Sequence, residues 1–454
     1  MEKLRADGAP DVAIRTFEHY YAQLESGERG LLPESELEPL GDVPDLERLP
    51  DPGPEGREAL ERAVVIKLNG GLGTSMGMTG PKSLVEVKDG LSFLDVAVRQ
   101  VLSLREATGA RLPLVLMHSF YTRDESLAAL ERYPDLRVDV PLDFVQGRFP
   151  KISADDLRPV SWPADPELEW APPGHGDLYT SLTTSGMLDQ LLERDYRFAF
   201  VTNIDNLGAV LEERILAWFA REQLPFLMEV SERAHGDRKG GHPARLRTDG
   251  LVLREIAQTP QEDLEAFQDT SRHRYFNTNS LWIDLRRLRE ALDERGGVLG
   301  LPMIVNRKTV DPTDPASPEV FQLETAMGAA IAVFDGAAVL RVPRRRFAPV
   351  KTTNDLLALR SDAYVMGEGA RVELAPERSD VPPLVDLDPA FYKLLGDFEP
   401  RFARGAPSLV GCERLKVVGD VAFGAGVIVR GSALVENRNH GQLAIEDGAV
   451  LGGA

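Results

Sequence analysis

From about Arg57 to Asp362, short apolar runs alternate with longer stretches of helical periodicity. AVVIKL (63–68), LPLVLM (112–117), RFAFVT (197–202) and PFLMEV (225–230) read as strands, and LSFLDVAVRQVLSLREATG and GAVLEERILAWFAREQ read as helices. This alternation predicts an α/β domain, Rossmann-like, with a mixed and mostly parallel sheet. Ligands of such sheets sit beyond the carboxyl ends of the strands, so the residues just after each run carry the functional interest.

The flanks differ. Ile14, Phe17, Tyr21 and Leu24 fall on one face of a helix, which predicts a helix docked on the main body. Two stretches rich in proline and acidic residues, GDVPDLERLPDPGPEG (41–56) and RVELAPERSDVPPLVDLDP (371–389), read as linkers. Beyond the second, Leu415, Val421, Val427, Ala433, Ile445 and Leu451 lie on a six-residue ladder broken at Asn439; Val417, Phe423, Val429 and Val435 form another. Hexads of this kind predict a short parallel β-helix, with ordinary glycine-punctuated strands as the alternative. The expected division is 1–56 as helical segment and linker, 57–385 as the main α/β domain, and 386–454 as the C-terminal β-helix domain.

With 454 residues, 43% apolar and 27% charged, the chain can bury a large core. The formal charge of −20 disfavours nucleic acid as a partner, since phosphate neutralisation drives that binding. An anionic small molecule would need a local pocket of lysines and backbone N–H groups. The start, MEKLRADGAP, lacks the apolar core of an export signal, and the run from Thr325 to Phe334 is too short to span a bilayer. The single cysteine, Cys412, permits no internal disulfide. A cytoplasmic protein without a membrane partner is the expectation.

The run AVVIKL opens into LNGGLGTSMGMTGPKS (68–83). A P-loop needs glycine directly before Lys-Ser/Thr, yet Pro81 stands between Gly80 and Lys82 and removes an N–H. After Lys82, SLVEV reads as a strand rather than a helix. Gly71, Gly73 and Gly77 are spaced one residue too widely for a dinucleotide turn. What remains is a long glycine loop that aims Gly70, Gly71 and Gly73 N–H groups at phosphate oxygens and ends on the positive charge of Lys82. Asp205, in NIDN just past RFAFVT, suits a Mg²⁺ ligand; the plainer reading is a turn aspartate capping a helix that starts near Leu207.

This motif strongly resembles the signature of the eukaryotic-type UDP-glucose pyrophosphorylases. MHSFYTRDES, FVQGRFPKI, PPGHGDLY, FVTNIDNLGA, MEVSERAHGDRKGG, LREIAQTP, RYFNTNSLW, QLETAMGAAI and RFAPVKTTNDLL, in that order, are similar to the family's other blocks. The resemblance implies a nucleotidyltransferase domain followed by a left-handed parallel β-helix. It further implies Mg²⁺-dependent transfer of uridylyl from UTP to glucose 1-phosphate, giving UDP-glucose and pyrophosphate. By the same resemblance, Lys82 and Lys351 are catalytic, and nucleotide contacts fall on Leu68, Asn69, Gly70, Gly71, Lys82, Gln146, Gly174, Asp205 and Lys351. Sugar-phosphate contacts fall on His175, Asn203, Ile204, Asp205, Glu255, Asn277 and Asn279, and Asp205 holds the metal.

The chemistry suits those residue types. Two anions meet as the sugar phosphate attacks the UTP α-phosphorus, so positioning and cations can carry the catalysis without a covalent nucleophile. An amide such as Gln146 offers the donor and acceptor that a uracil edge requires, and a neutral His175 can donate to a phosphate oxygen. RKGG (238–241) is a candidate loop closing over the sugar. His118, Gly147 and Ser280 depart from the family pattern, the last beside the sugar block. The chain ends at LGGA, earlier than the family usually does, so the homo-oligomers that some relatives build through the β-helix are in doubt. The competing readings are a pyrophosphorylase of different or broader sugar choice, a bifunctional uridylyl- and acetyltransferase, and a non-catalytic nucleotide-sugar sensor.

Overall fold

The computed structural model describes residues 1–233, 237–379 and 381–453. Residues 234–236, inside MEVSERAHGDRKGG, lie outside it, as do residues 380 and 454. The centre is a seven-stranded sheet: β1 (Ala63–Asn69), β2 (Leu114–His118), β3 (Asp143–Val145), β4 (Phe198–Asn203), β5 (Phe226–Glu232), β6 (Tyr275–Asp284) and β7 (Ala338–Arg341). Their spatial order is β7-β5-β6-β4-β1-β2-β3. Only β6 runs against its neighbours; the other pairings are parallel.

Strand alternation splits the core in two. Ala63, Val65, Leu114, Leu116, Phe198 and Phe200 face one side, beneath the helix Phe93–Thr108. Val64, Ile66, Val115, Met117, Ala199 and Val201 face the other, against the helices Met187–Glu193 and Leu285–Glu294. With both faces covered, the runs read as continuously apolar. The expected strands are present, shifted by a residue or two at their ends.

Other expectations need correction. No helix starts near Leu207: residues 204–208 form turns and the helix spans Glu213–Arg221, so Asp205 caps nothing. After Lys82 the chain makes a 3-10 turn, Lys82–Leu84, before the short strand Glu86–Lys88. On the N-terminal helix Asp11–Glu25, Ile14, Phe17 and Leu24 are buried as expected, Tyr21 packs half-buried on the same cluster, and Tyr20 is a further buried aromatic that the pattern did not include. That face packs on Phe149, Ile152, Met303 and Leu323. The stretch 41–56 buries Leu46 and Leu49 in the main core, and the helix Gly53–Glu61 begins inside it.

At the C-terminus, Leu384–Leu387, Cys412–Val418 and Gly431–Glu436 form a parallel sheet. Val421–Phe423 pairs in parallel with Leu443–Ile445, and Ile428–Val429 with Val450–Leu451. The two hexad ladders supply the buried side: Leu415, Val417, Val421, Phe423, Val427, Val429, Ala433 and Val435. No helix among the described residues is long and apolar enough to cross a membrane.

Candidate active site

The carboxyl ends of β1, β2 and β4 lie side by side and release three loops toward one region. The loop after β1 is tied back on itself, since the Lys82 N–H donates to the Gly71 carbonyl at 3.0 Å. Gly73 takes the left-handed conformation at φ 63°, and a Cβ there would meet Met78 Sδ at 2.8 Å, so glycine holds this turn without strain. Gly70 passes beside the Gln146 amide, whose Nε2 would lie 3.4 Å from a Cβ at that position.

Lys82 then reaches across the sheet end. Its Nζ lies 2.6 Å from Asp205 Oδ2, with Lys82 13% and Asp205 21% exposed at the side chain, and it also donates to the Val350 carbonyl. The Val350 N–H in turn donates to the Asp205 carbonyl at 3.2 Å. Three segments distant in sequence therefore meet at one point, with Lys351 next along the chain. Lys351 is exposed and starts the turn into the helix Thr353–Arg360, its N–H held by Asp355 Oδ2 at 2.9 Å. Its ammonium lies near enough to Glu255 to favour that carboxylate's charged form, yet burial dominates and lifts the Glu255 carboxyl to about 7.

His175 sits in a 3-10 turn after Gly174, at φ 77°, where a Cβ would strike the Thr325 carbonyl oxygen at 2.5 Å. The Met327 N–H donates to His175 Nδ1 at 2.9 Å. Nδ1 is thus the acceptor and the proton belongs on Nε2. Burial holds the imidazole down to about 4, so the ring is neutral and its free nitrogen donates.

Asn277 and Asn279 are placed by a bulge. The β5–β6 register shifts between Glu229 and Val230, and Asn279 takes φ 56°. Asn277 Nδ2 donates to Asn279 Oδ1 at 2.8 Å, and the Asn279 N–H returns to Asn277 Oδ1 at 2.9 Å. Non-glycine residues rarely hold this conformation, and asparagine is among those that do.

Other expected contacts divide. Asn203 ends β4, half-buried beside the cluster. The Asn69 amide turns inward to Ser126 and His118. Leu68 and Ile204 are tied to each other by an N–H to carbonyl bond of 3.1 Å, and the Ile204 side chain is buried. The Asn69 and Ile204 side chains are thus buried, and that of Leu68 is half-buried. His118 is fully buried and kept neutral by burial, which pushes it to about 4. The Ser280 hydroxyl, also buried, faces that of Thr202 at 3.3 Å.

The sequence reading missed the charges beneath this surface. Lys67, inside the apolar run of β1, is buried with its Nζ on the Ala209 carbonyl at 2.9 Å, and burial pushes it down to about 7. Arg346 and Glu229 form a buried bidentate pair at 2.8 and 2.7 Å, and Trp282 Nε1 donates to the same carboxylate at 2.9 Å. A lysine among five apolar residues was the one visible signal.

A glycine loop, the Lys82 ammonium and the Asp205 carboxylate gathered past the strand ends of a mostly parallel sheet have the make-up of an α/β site for a phosphate-bearing ligand. Residues 14–430 match the model of the family described as UTP--glucose-1-phosphate uridylyltransferase. The UTP--glucose-1-phosphate uridylyltransferase of Solanum tuberosum is 39% identical over 424 residues, 93% of this chain and 84% of that one. That of Astragalus penduliflorus is 40% identical over 88% of this chain and 83% of its own. A mutant UDP-glucose pyrophosphorylase from Leishmania major, in complex with UDP-glucose, superposes with a TM-score of 0.93 at 46% identity, over 99% of this chain and 96% of that one. A UDP-glucose phosphorylase from Trypanosoma brucei gives 0.91 at 47%, over 99% and 97%. This chain belongs to the UTP--glucose-1-phosphate uridylyltransferase family.

Proposed function

We propose that the enzyme transfers uridylyl from UTP to glucose 1-phosphate, reversibly, giving UDP-glucose and pyrophosphate, with Mg²⁺ as its ion. The observation that carries this reading is the meeting of Lys82, Asp205 and the Val350–Lys351 segment at one point. In the free protein Lys82 and Asp205 neutralise each other. An incoming triphosphate offers Lys82 a stronger partner and releases the carboxylate. Lys351, exposed next to Val350 in the chain, answers the charge that builds toward pyrophosphate. Gly70 and Gly71 line the nucleotide's path, and the adjacent Gln146 amide suits a uracil edge. His175 Nε2–H donates to the acceptor phosphate without carrying charge. Asn203, Glu255, Asn277 and Asn279 offer the sugar hydroxyls a dense polar wall.

The donor set fits Mg²⁺. Among the described residues no group of three or more metal-binding side chains exists, and this ion needs only one or two carboxylates beside substrate phosphates and waters. Asp205 would hold it; when bound, it supplies positive charge to the phosphate oxygens. The chain's own part is to bring the sugar phosphate in line with the α-phosphorus and to fix both anions with cations and amides.

The four parallel pairings from Leu384 onward support the β-helix reading, left-handed as the family resemblance implies. Our division stays a catalytic domain over 57–385, a C-terminal domain over 386–454 and the segment 1–56, with the strand Leu384–Leu387 bridging the first two. The C-terminal domain is also our candidate for self-association. The charge of −20 argues against nucleic acid, and a lone buried cysteine suits the cytoplasm.

The test is pyrophosphate release from UTP with glucose 1-phosphate, galactose 1-phosphate and N-acetylglucosamine 1-phosphate in parallel, with Mg²⁺ or a chelator. The reading predicts Mg²⁺-dependent turnover with the highest kcat/KM for glucose 1-phosphate. Binding of UDP-glucose without turnover, or preference for another sugar phosphate, would overturn it.

A further inference from the structure

We propose that Asn206 is a positioning residue for the transfer, whose side-chain amide pins the Lys351-bearing segment to the turn that carries Asp205. The proposal rests on the role assigned above to Lys351. Asn206 is 2% exposed and no group of its amide faces solvent chemistry. Its Nδ2 donates to the Arg346 carbonyl at 3.2 Å, and its Oδ1 accepts the Ala348 N–H at 2.9 Å. An antiparallel bridge joins Asn206 to Pro349. The next bond along is the one from the Val350 N–H to the Asp205 carbonyl.

The segment needs this grip because it has no regular structure of its own. Between the 3-10 turn Arg344–Arg346 and the helix from Thr353 it belongs to no helix or strand. Its upstream end is anchored by the buried Arg346–Glu229 pair. From there to Lys351, the contacts with the NIDN turn and with Lys82 set where the ammonium stands. The amide donates to one carbonyl through Nδ2 and accepts an N–H two residues on through Oδ1; alanine supplies neither group, a serine hydroxyl has a single oxygen one bond nearer the backbone, and a carboxylate would face the Arg346 carbonyl with a lone pair.

The experiment is a double-mutant cycle of N206A and K351A, read as kcat and as KM for UTP and glucose 1-phosphate. A misplacement of about 1 Å can cost on the order of 100-fold in rate, so N206A should lower kcat by roughly that factor with KM for UTP moving less than about threefold. In the K351A background the same change should cost less than about threefold, because its effect passes through that lysine. Losses that multiply, an unchanged kcat, or a change in KM alone would overturn the proposal while leaving the proposed function intact. An unimpaired K351A would refute the lysine's role and this inference with it. If N206A does not fold, N206S carries the same cycle with the same criteria.

Discussion

Replacing Arg346 by methionine removes one half of a buried ion pair while nearly preserving volume. Glu229 is fully buried and Arg346 is 5% exposed, and two charge-assisted hydrogen bonds join them. Breaking such a pair costs about 3–5 kcal/mol, because the remaining charge is left uncompensated. Here two neighbours soften the loss. Trp282 still donates to the carboxylate, and the buried Lys67 ammonium, held down first by burial and then by the Arg346 charge, becomes easier to protonate. The lower end, about 3 kcal/mol, is therefore expected. Adding Glu229→Gln removes the stranded charge and keeps an acceptor for Trp282, so the double variant should recover most of the loss. Urea unfolding at neutral pH measures both: the single variant's midpoint falls while its slope is unchanged, and the double variant's midpoint returns toward wild type. A single-variant cost under about 1 kcal/mol, or a double variant no better than the single, would refute the claim that this pair is a paired charge in a dry core.

Three further outcomes follow from the site. Gly174→Ala forces a side chain into a conformation that costs about 1–3 kcal/mol and against the Thr325 carbonyl, so His175 should be displaced and kcat/KM should fall by at least tenfold in the pyrophosphate assay. Asn279→Gly accepts the same φ without strain, so melting temperature should hold while KM for glucose 1-phosphate rises severalfold. Burial raises the Glu255 carboxyl from its ordinary 4.5 to about 7, so the folded state holds a proton that the unfolded chain has released. Stability should therefore decline as pH rises from about 4.5 to about 7, and Glu255→Gln should flatten that slope in unfolding titrations across the window.

The sheet was legible because strands covered on both faces, such as Ala63–Asn69 and Phe198–Asn203, show as unbroken apolar runs. The glycine loop announced itself through the density of its glycines, of which Gly73 and Gly77 take the left-handed conformation. The stretch after Asp205 misled, since GAVLEERILAWFAREQ reads as one helix, yet the helix begins at Glu213, and Leu207, Ala209 and Leu211 bury their side chains from a turn and an irregular segment before it. The turn is held by the Arg346–Val350 segment. That hold is non-local, so nothing near position 206 in sequence reveals it. The same reason hides Lys351, whose place depends on contacts 146 residues upstream, as 351 minus 205. Buried charges such as Glu229 and Arg346 are invisible for a related cause: each looks like an ordinary polar position until its partner is known. The Asn277–Asn279 wall depends on a bulge, which alternation patterns cannot register.

The central claim is that two ammonium groups and one carboxylate surround a single pair of phosphates. A crystal structure with UDP-glucose bound tests it most directly. The account predicts the Lys82 and Lys351 ammonium groups on the phosphate side of one cavity, with the Asp205 carboxylate facing the same oxygens. A diphosphate seated away from Asp205, with either lysine turned outward, would contradict it.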